Sequence, residues 1–199
     1  MDRDSLERDA GGGAVMRRAG WVLAVMAAAM LGGCGGDDDP MKPTPGPAYP
    51  ERTSPQKVLE AMILSYQSRD STEYKSVYDS SYVGTSTNLN DPPGSQTSTF
   101  LFADEAAHIA ALAKSTTINS IYLDLGPSSS WTRLPSDDVS HPEWAVIQIS
   151  NFRGGINDGA TLYSLQSINP MIFAFTPTVA APGDTTWKII RWTEVGQGF

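Results

Sequence analysis

The chain has 199 residues, with 22 acidic and 14 basic side chains, a net charge of −8, two histidines and one cysteine. An acidic, well-mixed composition leaves no electrostatic footprint for nucleic acid. A single cysteine allows no internal disulfide and no structural metal site of the thiolate kind.

That cysteine, Cys34, lies in "MLGGCGGDDDP" and closes the first recognisable element. The opening "MDRDSLERDAGGGAV" carries Asp2, Asp4, Glu7 and Asp9 against Arg3 and Arg8, the wrong sign for the start of a secretory signal. Met16, followed directly by Arg17 and Arg18, fits better as the start of translation. The apolar run Trp21–Leu31 is eleven residues long, against the ~20 that a membrane-spanning helix needs. A cationic start, a short apolar middle and small residues at the end are the proportions of an export signal.

The closing "LGGC" resembles the lipobox of bacterial lipoproteins, with Leu31 at −3, Gly32 at −2, Gly33 at −1 and Cys34 at +1. The resemblance implies a diacylglyceryl group on the Cys34 sulfur, cleavage between Gly33 and Cys34, and acylation of the new amine. An ordinary signal peptide with an incidental cysteine does not account for arginines, apolar run, small residues and cysteine in that order. Buried acyl methylenes add ~0.8 kcal/mol each, and two or more chains anchor stably. The expected partner of this end is therefore a membrane, in the bacterial cell envelope. Gly35 stands where an inner-membrane retention signal has aspartate, which implies the outer membrane in a host with two.

Residues 1–33 thus read as leader and signal, and 34–53 as a tether. Gly35 to Pro55 holds six prolines and three glycines without hydrophobic periodicity, too little apolar surface to offset its ordering entropy. Asp37, Asp38 and Asp39 are consecutive, whereas calcium loops alternate their acids, so they read as a solvated spacer. Residues 54–199 make one domain by size.

Within it, Ser54-Pro55 is an N-cap and N1 pair, and Val58, Leu59, Met62, Ile63 and Tyr66 recur at helical spacing. Asp70 and Glu73 have capping-box spacing ahead of Tyr74, Val77 and Tyr78, predicting a second helix to about Asp79. Gly84–Thr99 has loop composition. "ADEAAHIAALAKS" predicts a third helix, with Asp104 and Glu105 in its first turn and Lys114 in its last, as the helix dipole favours.

After Ser115 the period becomes two. Strands are predicted over Ile118–Leu125, Trp144–Phe152, Ala160–Ile168, Met171–Thr176 and Thr185–Val195. "RGGINDG" between the second and third predicts that those two form a hairpin. In "TTWKIIRWTEV" alternation puts Trp187, Ile189 and Arg191 on one face and Lys188, Ile190 and Trp192 on the other. Both faces would then carry large apolar groups. The outer one needs a cover, either the Gly84–Thr99 loop or a second copy in a homodimer. Helices first and an antiparallel sheet afterwards argue an α+β fold.

The stretches "SPQKVLEAMILSYQSRDSTEYKSVYDSSYV" and "TTWKIIRWTEV" resemble the first helices and last strand of the nuclear-transport-factor-two-like superfamily. The resemblance implies helices packed in a curved, mostly antiparallel sheet shaped as a cone. Its members include isomerases, dehydratases, cyclases and many non-catalytic binding domains, so fold alone chooses no function.

Residue by residue, chemistry is sparse. His108 lies four residues after Asp104 on one helix, and such a pair is most often a local surface contact; His141 precedes Pro142 in a polar stretch. A cone-fold isomerase needs a carboxylate in an apolar cavity with a raised pKa. Asp70 and Asp124 are the nearest candidates, but Asp70 reads as an N-cap, and Asp124, between Leu123 and Leu125, alternates toward solvent. Tyr66, Tyr122, Trp144 and Arg191 are the candidate lining of a pocket mouth. No metal-site, phosphate-loop, nucleophile-elbow or dinucleotide motif occurs, so no cofactor and no catalytic residue is assigned. The expected function is a non-catalytic binding domain on an envelope lipoprotein; the alternative is a small-molecule isomerase, dehydratase or cyclase.

Overall fold

The computed structural model describes residues 47–167, 169–181 and 183–196. The signal, Gly33, Cys34 and the first part of the tether lie outside the described residues. Helix α1 (Pro55–Ser68) begins at Ser54, whose side chain accepts from the Lys57 amide, and buries Val58, Leu59 and Met62. It ends at Arg69 in the left-handed region, φ 56°. Helix α2 (Ser71–Ser76) is capped by Asp70, which accepts from the Thr72 and Glu73 amides. Asp70 is therefore the cap that its spacing predicts. Helix α3 (Phe102–Lys114) buries Glu105, Ile109 and Leu112.

Two sheets complete an α+β fold. The larger has the strand order β2 (Thr97–Leu101), β1 (Tyr78–Asn88), β9 (Asp184–Gly196), β8 (Met171–Ala181), β5 (Ala145–Ile149) and β4 (Thr132–Leu134). All its pairings are antiparallel except β1 with β9. The smaller runs β3 (Ser120–Asp124), β6 (Arg153–Asn157) and β7 (Leu162–Gln166), antiparallel throughout. One core cluster draws Leu59 and Met62 from α1, Ile109 from α3, Leu123 from β3, and Ile147, Phe173, Phe175 and Ile189 from the larger sheet.

Five expectations change. The second helix stops at Ser76, not near Asp79, and β1 starts at Tyr78. The segment Gly84–Thr99, expected to be loop throughout, forms most of the β1–β2 hairpin. Its strands are rich in Ser and Thr, so they are held by pairing, β1 with β9 and β2 with β1, and not by an apolar alternation of their own. The expected hairpin between Trp144–Phe152 and Ala160–Ile168 is absent: β5 joins β8 and β4, while "RGGIN" is itself strand β6 and pairs with β7.

The fourth change concerns the last strand. Ala174 pairs with Arg191 but Phe175 pairs with Ile189, so Ile190 is an extra residue in β9. Such a bulge resets alternation. Trp187, Ile189 and Trp192 consequently all pack against the main core, and Trp192 lies 5.1 Å from Phe173, ring to ring. Ile190 joins the opposite face, with Val146 and Ala174. Leu134 and Trp144 cover that cluster, and Asp137 bonds Arg191 beside them. The β4–β5 connection is thus a cover for the outer face, in place of the Gly84–Thr99 segment.

The domain also reaches further back than Ser54. The Trp187 amide donates to the Arg52 carbonyl at 2.9 Å, and the Arg52 guanidinium to Ser76 Oγ at 2.6 Å. The Tyr49 hydroxyl donates to Asp70 Oδ2 at 3.0 Å. Residues from Tyr49 onward, expected as tether, are part of the folded unit.

Candidate functional site

Glu105 lies at the stripe spacing of α3, four residues before Ile109 and seven before Leu112. That places a carboxylate where a helix normally presents an apolar side chain to the core. It is 5% exposed. Facing it are tyrosines spaced four apart: Tyr74 on α2, and Tyr78 and Tyr82 on β1, all buried. The Tyr74 hydroxyl donates to Glu105 Oε2 at 3.2 Å and the Tyr82 hydroxyl to Oε1 at 3.3 Å. The Tyr78 hydroxyl in turn donates to the Tyr74 oxygen at 2.8 Å.

Gly84 makes this arrangement fit. The Tyr82 ring folds back over it, and a Cβ there would overlap the Tyr82 hydroxyl. A carboxylate in low-dielectric surroundings is disfavoured as an anion. Burial accordingly pushes Glu105 up to about 7, against the lowering effect of the Tyr74 and Tyr82 donors. Glu194 on β9, itself raised by burial, and Asp104 push it the same way. Burial also raises Tyr74, Tyr78 and Tyr82, so all three remain protonated donors.

His108, one turn beyond Glu105, shares a hydrogen bond of 3.1 Å between its Nε2 and the Tyr66 hydroxyl. Burial lowers it to about 4, so it is neutral at pH 7. Asp104 does not pair with it; its Oδ2 accepts from the Leu101 amide and caps α3. Chemically, the cluster holds one proton near neutrality among hydroxyl donors. Yet Glu105 and the three tyrosines are sealed by packing, and two recesses lie elsewhere, on the surface. One, of about 490 Å³, is lined by Tyr49, Pro50, Glu60, Ile63 and Leu64. The other, of about 310 Å³, is lined by Val83, Asp138, His141, Trp144, Ile190 and Arg191.

The four residues expected at one pocket mouth separate into three places. Tyr66 belongs to the interior cluster. Tyr122 lies on β3, 40% exposed, its ring over Gly155 of β6. Trp144 and Arg191 do meet, in the second surface recess, where His141 stacks on Trp144 at 4.4 Å and pairs with Glu143 at 3.0 Å. Asp124 is exposed and accepts from the Gly126 amide at 2.8 Å, a turn role. Sequence reasoning missed Glu105 as a site residue because its place in the first turn already explained it. The spacing to Ile109 and Leu112 was the available signal.

Among the described residues no group of three or more His, Cys, Asp or Glu side chains could hold a metal ion, and no helix is long and apolar enough to cross a membrane. No protein-family model and no curated protein matches the chain. Some solved structures are similar to it at low identity. A nuclear transport factor 2-like superfamily protein from Salmonella enterica is similar at 10% identity and TM-score 0.48, over 72% of this chain and 88% of that one. A ketosteroid isomerase-like protein from Erwinia carotovora is similar at 11% identity and TM-score 0.41, over 70% and 91%. Bd1075 of Bdellovibrio bacteriovorus is similar at 13% identity and TM-score 0.47, over 72% of this chain but only 39% of its own length. At these identities and TM-scores the likeness carries no family, function or residue role across.

Proposed function

We propose that the protein is a lipoprotein held in the bacterial cell envelope through Cys34, on the outer membrane where the host has two, and that its domain binds a partner and performs no catalysis. The lipobox supports the anchor. For the domain, the observation that carries the reading is the sealed interior: Glu105, Tyr74, Tyr78 and Tyr82 satisfy one another with no more than 5% exposure. An enzyme of the isomerase, dehydratase or cyclase type needs its acid to reach a substrate atom within ~3 Å.

That catalytic alternative is favoured by one fact, a carboxylate held near pH 7 beside two hydroxyl donors. Thermal shift against a panel of small aromatic and carbonyl compounds separates the two. The binding reading expects no compound to raise the melting temperature through the interior. A rise seen with the native protein and lost in Glu105→Gln would establish an open site and overturn it. The anchor is tested by palmitate labelling and membrane fractionation, in which Cys34→Ser should abolish both lipid incorporation and membrane retention.

A further inference from the structure

The two sheets have four outer edges, and they are not equally protected. On β3 the Leu123 carbonyl accepts from Gln67 Nε2 of α1 at 3.0 Å, and the Arg69 guanidinium bonds the Ile118 carbonyl just before the strand. Strand β4 is three residues long and carries Arg133. Strand β2 is exposed but reads Thr-Ser-Thr-Phe-Leu, mostly small hydroxyls, and its one large exposed apolar side chain, Leu101 at 53%, stands at its end as the N-cap of α3. Strand β7 differs. Its sheet neighbour among the described residues is β6, and two adjacent large side chains on it, Leu162 and Tyr163, are 59% and 53% exposed.

Edges of this kind are normally blunted with lysine, proline, a bulge or a cover. Among the described residues the β7 edge has none of these: from Gly159 to Gln166 there is no charged residue and no proline, and its pairing with β6 is regular. Charge also selects the occupant. Two copies of a chain of net charge −8 repel over most of their surfaces. The stretch Gly159–Gly183 is entirely uncharged, so this is an edge where two copies can meet without opposing acids.

We propose that β7 pairs with β7 of a second copy, antiparallel about a two-fold axis at Ser164. That register sets position 162 against 166, 163 against 165, and Ser164 against its own counterpart. It is an isologous contact in which one patch complements itself, and it joins two three-stranded sheets into one of six. Tyr163 lies in register with Ile156 of β6, which is in register with Ile121 of β3, so the apolar row across the sheet continues into the partner. This contact is separate from the outer sheet face, whose apolar cluster the β4–β5 connection already covers.

The test uses the full chain, first in intact cells and then extracted in mild detergent. Residues directly opposite in an antiparallel pair have Cα atoms about 4.5–5.5 Å apart, within the range that a disulfide spans. Ser164→Cys should therefore give a covalent dimer under mild oxidation, whereas Ser98→Cys on β2 and the parent chain with Cys34 alone should not. Tyr163→Lys should convert the sedimenting dimer to monomer without lowering the melting temperature of the domain. A native chain that sediments as a monomer at high micromolar concentration overturns the proposal. So does a covalent dimer formed equally well from Ser98→Cys, or capture at β7 of an extended peptide in place of a second copy.

Discussion

The Tyr82 hydroxyl donates to the Glu105 carboxylate at 3.3 Å across the interior, from a strand to a helix, and neither side chain is more than 5% exposed. The folded-state pKa of Glu105, about 7, lies above the ordinary glutamate value of 4.5. The folded chain therefore binds this proton more tightly than the unfolded chain does. The stabilisation is fully present below the ordinary value and is lost as pH rises through about 7. Facing groups are Tyr74, Tyr78, Tyr82, Glu194 and Asp104, and the two acids add to the same trend. Glu105→Gln should be near neutral at pH 5 and stabilising at pH 8.5, on the order of 1–3 kcal/mol. Urea unfolding at the two pH values checks it; equal effects at both would contradict the assigned proton.

Gly84 offers an independent handle on the same contact. Gly84→Ala should displace the Tyr82 ring and leave Glu105 with one hydroxyl donor fewer. Loss of a partner for a buried charged group costs roughly 1–3 kcal/mol. Tyr82→Phe should reproduce most of that loss, and adding Gly84→Ala to Tyr82→Phe should cost little more. Additive losses would mean that Gly84 acts elsewhere.

Much of this fold was legible in the sequence because its signals were local. Ser54 and Asp70 announced their caps, and α1, α3, β3, β5, β7, β8 and β9 all lie within or close to the predicted stretches. What stayed hidden depends on distant partners. β1 and β2 are strands because β9 pairs with β1, which no window around Gly84 contains. The bulge at Ile190 leaves no mark in an alternating stretch, yet it moves Trp192 from one face to the other. Tyr66 was legible as core, but not as the partner of His108, since the hydrogen bond joins residues on two different helices.

The bulge has a measurable consequence. Trp192 packs on Phe173 in the core, and its buried indole nitrogen has no hydrogen-bond partner among the described residues. Trp192→Ala should cost roughly 3 kcal/mol by loss of packing, whereas Trp192→Phe should cost much less, since it also removes an unsatisfied N–H. Thermal denaturation of the two variants should rank them in that order. A Trp192→Ala domain as stable as the native one would place the residue outside the core.

Arg69 joins two roles. It is the left-handed residue that ends α1, and its guanidinium bonds the Ser115 and Ile118 carbonyls at 3.2 and 3.1 Å, holding the end of α1 to the segment between α3 and β3. Arg69→Ala keeps the backbone strain and loses both bonds, an expected cost of about 2 kcal/mol. Arg69→Gly loses the bonds but relieves a left-handed cost of about 1 kcal/mol, so it should be the more stable variant. The reverse ranking in chemical denaturation would show that backbone strain contributes nothing here.

The claim that the interior is a sealed polar core, and not a working active site, is tested most directly at the Glu105 carboxyl. Its side-chain carbon can be followed by nuclear magnetic resonance in isotopically labelled protein as pH is varied. A sealed, doubly hydrogen-bonded carboxylate should titrate with a midpoint near 7, unmoved by small aromatic or carbonyl compounds. A midpoint near the ordinary glutamate value, or one that shifts when such compounds are added, would show that solvent or ligand reaches it and would contradict the account.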